Sequence, residues 1–171
     1  TLNILGIIAR DSGGLRPLHD AGRYHPALVN ALKHAFADRA RWLGDPDFSD
    51  IPVARLTSQA YAETLARQTA TRPADFGTLP PDDAGTSHFT IVDRHGNVVA
   101  ITETINDTFG SLVVAQPFGI LLNNEMDDFL TVPGQANLFG LQQGRPNLVG
   151  PGKRPLSSMT PTIVFQDGRP V

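Results

Sequence analysis

The sequence predicts an α+β fold, with helices in its first half and strands in its second half. Apolar residues recur at helical spacing after Pro26, which favours a helix there. Residues 86–105 instead alternate in the manner of two strands joined by a tight turn. The 171 residues, of which 40% are hydrophobic, are enough chain for one ordinary domain core.

The composition excludes several classes of protein. The net charge is −3 and no basic cluster is present, so we expect neither a nucleic-acid surface nor a patch for anionic membranes. No apolar run approaches the roughly 20 residues of a membrane span. The chain has no cysteine, which rules out disulfides and thiolate metal sites and leaves the compartment open.

Two helices are predicted before residue 45. Residues 1–8 resemble a helix fragment; they lack the basic head and the small-residue cleavage site of a signal peptide. A second helix begins at Pro26, a good first helical residue, and ends at Gly44. Its apolar stripe comprises Leu28, Ala31, Leu32, Ala35, Phe36, Ala40 and Leu43. Residues 11–22, with two adjacent glycines and Pro17, are interpreted as a loop.

A third helix is predicted to begin at Thr57 or Ser58 and to run to about residue 68, with Tyr61 and Leu65 facing inward. The composition then changes. Residues 71–85 contain three prolines, two glycines and three aspartates. We therefore expect residues 71–85 to form a mobile tether.

The loop at residues 94–96 sets the register of the first predicted hairpin. Gly96 suits the left-handed position of a three-residue loop. If Asp93 pairs with Asn97, Thr86 lies opposite Thr104, with Cβ atoms roughly 4.5–5.5 Å apart. Two hydroxyl groups then face each other. An ordinary cross-strand threonine pair is one interpretation of this arrangement.

The other interpretation is a self-cleavage site between Gly85 and Thr86. In N-terminal nucleophile hydrolases the chain is cut before a Thr or Ser, whose freed amine becomes the base for its own hydroxyl. Gly85 has no Cβ, so it allows the Thr86 oxygen to approach its carbonyl and tolerates the strained backbone of an acyl shift. His88 lies on the same predicted face and is interpreted as structural.

An acidic segment follows a short strand, predicted to be buried, at residues 119–122. Glu125, Asp127 and Asp128 lie beside two asparagines. These carboxylates could bind a cation, cap a helix or receive a substrate ammonium group, or they could form a solvated loop. Apolar neighbours favour partial burial, and a buried carboxylate needs a partner. Further on, residues 162–165 are predicted to be a strand and residues 166–169 a hairpin turn, with the return strand expected to begin at Val171.

Several stretches resemble the γ-glutamyltranspeptidase family in order and spacing. They are Gly85-Thr86-Ser87-His88, Thr104-Ile105-Asn106, residues 119–129, residues 152–159, and residues 35–48. The resemblance implies the four-layer αββα sandwich of N-terminal nucleophile hydrolases, present here in part. It also implies that residues 1–85 are the end of a large subunit and residues 86–171 the start of a small, catalytic one.

The resemblance also implies the residue roles. Thr86 is the nucleophile and Thr104 orients it, while Asn106, Glu125 and Asp128 surround the amino group of a γ-glutamyl substrate. The hydroxyls of Ser157 and Ser158 hold its carboxylate; on the residues alone, these serines could equally form a turn. A large-subunit Arg and a Gly-Gly oxyanion hole are expected outside residues 1–171, so this chain alone should be inactive.

The expected activity is γ-glutamyl transfer or hydrolysis of compounds such as glutathione, with no cofactor and no metal, by a protein that is periplasmic or secreted. Two alternatives stay open. One is a cephalosporin (glutaryl) acylase built on the same frame, although the acidic segment would repel a purely anionic acyl group. The other is a non-catalytic homologue used for binding or assembly, which would not be cut before Thr86.

Overall fold

The computed structural model describes residues 1–69 and 86–171, which form two compact units. The first unit comprises Thr1–Leu79 and Leu130–Arg154. The second comprises Pro80–Phe129 and Pro155–Val171. Helices dominate the first unit and short antiparallel strands the second, so the mixed helix and strand content is confirmed. Gly85 and the predicted tether at residues 71–85 lie outside the described residues.

The described residues of the first unit form five α-helices and one short 3₁₀ helix. The α-helices are α1 (Leu2–Asp11), α2 (Leu15–Asp20), α3 (Tyr24–Trp42), α4 (Val53–Leu56) and α5 (Gln59–Thr69), and the 3₁₀ helix is Arg145–Asn147. Helix α1 is buried on two sides. Ile4 and Ile7 pack with side chains of α3 and α5, while Leu5 and Ala9 pack with Leu18 and α3. This two-sided burial explains why α1 is so apolar.

The prediction of a loop at residues 11–22 was wrong, because Leu15–Asp20 is helical. Gly14 precedes the helix with a φ of 123°, which suits glycine. Pro17 lies in the first turn, where its missing N–H costs nothing. Leu18 is 1% exposed and anchors this short helix against α1 and α3.

The predicted stripe on the long helix is only partly correct. Ala27 and Ala31 are buried, whereas Leu32 and Phe36 are exposed. Helix α3 also begins two residues before Pro26 and ends at Trp42. The small alanines face the core because α1 approaches α3 closely at this point. The helix predicted from residue 57 or 58 is confirmed as α5, and the Ser58 hydroxyl accepts a hydrogen bond from the Tyr61 N–H at 3.2 Å.

In the part of the second unit that the structure describes, the strands form three two-stranded antiparallel sheets. They pair β1 (Thr86–Val92) with β2 (Val98–Thr104), β3 (Val114–Ala115) with β4 (Ile120–Leu121), and β5 (Phe165–Gln166) with β6 (Arg169–Pro170). A 3₁₀ helix spans Glu125–Asp128. Among the described residues, no helix is both long and apolar enough to cross a membrane.

Two predictions in this unit need correction. The strand predicted at residues 119–122 exists as β4, but Ile120 is 58% exposed, so it is not buried. The strand predicted at residues 162–165 is shifted to Phe165–Gln166, and its return strand begins at Arg169, inside the chain. Asp167 and Gly168 have φ values of 50° and 76°, the left-handed conformation of a two-residue hairpin turn.

Candidate functional site

The first hairpin brings together two hydroxyl groups that are far apart in sequence. Thr86 pairs with Thr104 in the β1–β2 register, which confirms the predicted pairing. The Thr86 Oγ1 donates a hydrogen bond to Thr104 Oγ1 at 3.1 Å. Both threonines lie at the open end of the hairpin, where β1 begins and β2 ends.

The turn of this hairpin is held by one carboxylate. Asp93 accepts hydrogen bonds from the backbone N–H groups of His95, at 2.8 Å, and Asn97, at 2.9 Å, and from the Asn97 side chain at 2.7 Å. These bonds lower the pKa of Asp93, with the Asn97 side chain as the largest cause. Gly96 has the predicted left-handed conformation, with a φ of 81°. The turn therefore fixes the register that places Thr86 opposite Thr104.

Asn106 continues the chain of hydrogen bonds that begins at Thr86. Its backbone N–H donates to Thr104 Oγ1 at 2.9 Å. Its backbone has a φ of 78°, a left-handed conformation that asparagine tolerates better than most residues. Asn106 is 9% exposed, and its side chain donates to the Asn124 carbonyl at 3.3 Å. Thr86, Thr104 and Asn106 thus form one continuous hydrogen-bonded group.

The acidic segment forms one turn of 3₁₀ helix. Asn123 Oδ1 accepts a hydrogen bond from the Glu125 N–H at 3.0 Å, and the Asn124 side chain donates to Asp127 Oδ2 at 2.9 Å. Asp128 is 5% exposed, whereas Met126 is 61% exposed. The expected burial of this segment therefore holds at Asp128 but not at Met126.

Asn124 connects the acidic segment to the end of β2, a role that sequence reasoning missed. Its N–H donates to the Ile105 carbonyl at 3.2 Å, and its Oδ1 accepts from the Asp107 N–H at 2.9 Å. With the bond from Asn106, three hydrogen bonds join the two segments. The available signal was an asparagine directly before a short acidic helix, a typical capping position.

Ser157 is held within its own segment. The Ser157 N–H donates to the Pro155 carbonyl at 3.1 Å, and the Ser157 hydroxyl accepts from the Met159 N–H at 3.3 Å. Ser157 is half-buried and Ser158 is exposed, in a stretch without regular secondary structure. The turn interpretation therefore describes the local bonding of Ser157, and its role toward a substrate stays a prediction.

His88 bonds to threonines of the hairpin and not to Thr86. Its Nδ1 lies 2.7 Å from Thr102 Oγ1 and its Nε2 lies 3.4 Å from Thr90 Oγ1. This bonding agrees with the structural interpretation of His88. In the two described stretches, 1–69 and 86–171, no three His, Cys, Asp or Glu side chains are grouped as metal ligands would be.

These contacts indicate which chemistry the site can perform. A threonine hydroxyl at a strand start has a second hydroxyl within hydrogen-bond reach, and that second oxygen is oriented by a backbone N–H. An anchored segment with a buried carboxylate begins at the far end of the same group. Such an arrangement suits a nucleophile with an orienting partner next to a cation-binding segment.

The family assignment rests on the full length of the chain. The gamma-glutamyltranspeptidase family model matches residues 1–171. The chain therefore belongs to the gamma-glutamyltranspeptidase family.

Curated relatives agree with this assignment. The chain is 49% identical over 149 residues to the glutathione hydrolase proenzyme of Escherichia coli strain K12, a match that covers 83% of the chain and 26% of the relative. It is 43% identical over 138 residues to the putative inactive glutathione hydrolase 4 of Arabidopsis thaliana, covering 74% of the chain and 71% of that protein. The chain thus spans about a quarter of the length of the Escherichia coli relative.

A solved structure of gamma-glutamyltranspeptidase from Pseudomonas nitroreducens is also similar. The two are 54% identical in sequence, with a TM-score of 0.47. The match covers 48% of this chain and 43% of the solved one.

Proposed function

We propose that the full-length protein containing this chain is a γ-glutamyltransferase and glutathione hydrolase that cuts itself between Gly85 and Thr86. The observation that carries the proposal is the hydrogen-bonded group of Thr86, Thr104 and Asn106 in a member of this family. In the proposed protein, residues 1–85 end the large subunit, residues 86–171 begin the small one, and the whole is an N-terminal nucleophile hydrolase with an αββα sandwich.

In the proposed reaction, the Thr86 oxygen attacks the γ-amide carbonyl of a γ-glutamyl compound. The amine freed by self-cleavage takes the hydroxyl proton and passes it to the departing amine, leaving a γ-glutamyl ester on Thr86. Water or an amino-acid amine then attacks the ester and restores the hydroxyl. Thr104 orients the nucleophile, because its oxygen is held by the Asn106 N–H and accepts the hydrogen bond that the Thr86 hydroxyl donates.

The acidic segment favours a glutamyl over a glutaryl acyl group. Asn106, Glu125 and Asp128 would surround the α-ammonium, and Ser157 and Ser158 would bind the α-carboxylate. The hydrogen bond from the Asn106 side chain to the Asn124 carbonyl supports this role, because it joins Asn106 to the segment that carries Glu125 and Asp128. A glutaryl group carries a carboxylate and no ammonium, so the carboxylates of the acidic segment would repel it.

The test is a comparison of the full-length protein with its Thr86→Ala and Thr86→Ser variants. The parent should yield two chains on a denaturing gel, with Thr86 at the start of the smaller one by mass. Thr86→Ser should still be cut and Thr86→Ala should remain one chain that hydrolyses no γ-glutamyl anilide. A parent that is never cut would support a non-catalytic homologue, and a Thr86→Ala protein that is cut at the same bond would exclude Thr86 as the processing nucleophile.

A further inference from the structure

The first compact unit is assembled from pieces on both sides of the proposed cut. Thr1–Leu79 precedes Thr86 and Leu130–Arg154 follows it, yet together they form one compact body. The two pieces meet where residues 40–48 contact residues 144–154, a contact we call the seam. If the chain is cut before Thr86, the seam joins two separate polypeptides.

An ion pair lies at the centre of the seam. Arg154 donates to Asp45 from its backbone N–H at 2.8 Å, from Nε at 3.0 Å and from Nη2 at 2.5 Å. The same Nη2 donates to Asp47 at 2.6 Å. The Asp45 side chain is 1% exposed, and it also accepts the Asp47 N–H at 3.1 Å. Both Asp45 oxygens are therefore satisfied, three of their four bonds coming from across the seam.

The backbone of the seam is fitted closely around this pair. Gly44 contacts the Pro146 carbonyl so tightly that a Cβ on Gly44 would collide with it. The Gly144 N–H donates to the Ala40 carbonyl at the end of α3. Lys153 Nζ lies 5.9 Å from the centre of the Phe48 ring and donates to the Pro146 and Leu148 carbonyls at 3.0 and 2.8 Å. The seam thus combines steric fit with a buried charge.

We propose that Asp45 and Arg154 form the ionic tie that holds the two chains together after cleavage before Thr86. The proposal rests on the proposed function for the cut itself. Removing Arg154 would leave a buried carboxylate without its partner, a strongly unfavourable state. Before the cut, the covalent chain keeps the pieces close. After the cut, the tie and the seam around it must hold them without that link.

The test uses the full-length protein with Asp45→Asn, with Arg154→Gln and with both. Asp50→Asn is the matched control, because Asp50 is an exposed carboxylate in the same segment. Each protein is first checked for the cut on a denaturing gel. Size exclusion in a urea series then gives the concentration at which the two chains separate.

Each single variant should lower that urea midpoint by roughly 1 M, as expected for loss of a charged hydrogen bond at an ordinary urea dependence. The urea midpoint of the double variant should fall no further than that of the less stable single variant, because the two residues act as one pair. Separation of Asp45→Asn and Arg154→Gln at the midpoint of Asp50→Asn would overturn the proposal, as would full additivity of the two changes. If Asp45→Asn does not fold, Arg154→Gln alone decides.

A second arm separates this proposal from the proposed function. A Thr86→Ala precursor carrying a protease recognition sequence ahead of residue 86 is cut by added protease, and the urea series is repeated. A parent that does not cut itself then counts against self-processing alone. An unchanged midpoint for Arg154→Gln in this arm counts against the tie alone.

Discussion

Thr86 Oγ1 and Thr104 Oγ1 lie 3.1 Å apart at the open end of the β1–β2 hairpin. Thr104 Oγ1 also accepts the Asn106 N–H, which orients the Thr104 hydroxyl with respect to Thr86. The hairpin therefore supplies both the residue proposed as nucleophile and the group that orients it. This relationship makes Thr104 testable separately from Thr86.

Thr104→Ala should slow γ-glutamyl hydrolysis by about 10²–10⁴-fold, the usual cost of a lost proton-transfer or orienting contact. Thr104→Ser keeps the hydroxyl and should stay much closer to the parent. Thr102→Ala is the matched control, because Thr102 lies on the same strand but bonds to His88. Initial rates of the full-length variants provide the measurement. Equal losses of hydrolysis rate in Thr104→Ala and Thr102→Ala would mean that Thr104 stabilises the strand and does not orient the nucleophile.

Asp93→Ala should loosen the β1–β2 hairpin from its turn, the end opposite Thr86 and Thr104. Its folded pKa lies below the roughly 3.9 of an unfolded aspartate, so Asp93 stabilises the turn fully above about pH 4. That contribution is lost as the pH falls through the lowered folded pKa. Amide hydrogen exchange of residues 86–105 should therefore be faster in Asp93→Ala than in the parent at pH 7. The difference in exchange rate between Asp93→Ala and the parent should become smaller only in more acidic solution, where Asp93 is protonated. If that difference stays the same in acid, the carboxylate charge is not its cause. Asp50→Ala is the control.

The hairpin register could be predicted because it depends on local chemistry. A three-residue loop with Gly96 in a left-handed conformation allows one register of β1 against β2. That register places Thr86 opposite Thr104. Helix α2 was missed because a glycine pair and a proline usually indicate a loop, and only burial of Leu18 against other helices reveals the helix. Sequence spacing likewise could not show that Leu32 on α3 is left exposed.

The contact between Asp45 and Arg154 could not be predicted, because 109 residues separate them in sequence. Asp45 directly precedes a turn at residues 46–48, and this local pattern gives no sign of a distant partner. Arg154 reaches Asp45 only when the first unit assembles from two distant pieces. The role of Asn124 was hidden for the same reason, since its partners at Ile105 and Asp107 precede it by almost twenty residues.

Two glycine-to-alanine changes should have opposite effects on stability. Gly6 lies inside α1 with open space around it, so Gly6→Ala should stabilise the protein by about 0.5–1 kcal/mol through helix propensity. Gly44→Ala places a methyl group against the Pro146 carbonyl and should destabilise it by about 1–3 kcal/mol. Urea unfolding of both variants measures the effect. A Gly44→Ala protein as stable as the parent would show that the seam accommodates a larger residue.

Asp128→Asn should weaken recognition of γ-glutamyl substrates while leaving self-cleavage intact. The substitution keeps the shape of a side chain that is 5% exposed and removes its charge. A charged hydrogen bond contributes roughly 1.5–3 kcal/mol, so kcat/KM for a γ-glutamyl anilide should fall by about one to two orders of magnitude. Maturation on a denaturing gel should be unchanged, because the cut needs no external ammonium group.

The control for Asp128 is Asp127→Asn, an exposed neighbour in the same 3₁₀ helix whose Oδ2 accepts the Asn124 side chain at 2.9 Å. Both variants are assayed on γ-glutamyl and glutaryl anilides, which differ by the α-ammonium group. If Asp128 binds that ammonium, Asp128→Asn loses activity mainly on the γ-glutamyl compound. Equal losses on the two anilides would show that Asp128 only holds the segment in shape, and the ammonium would then have to be bound by Glu125 and Asn106 alone.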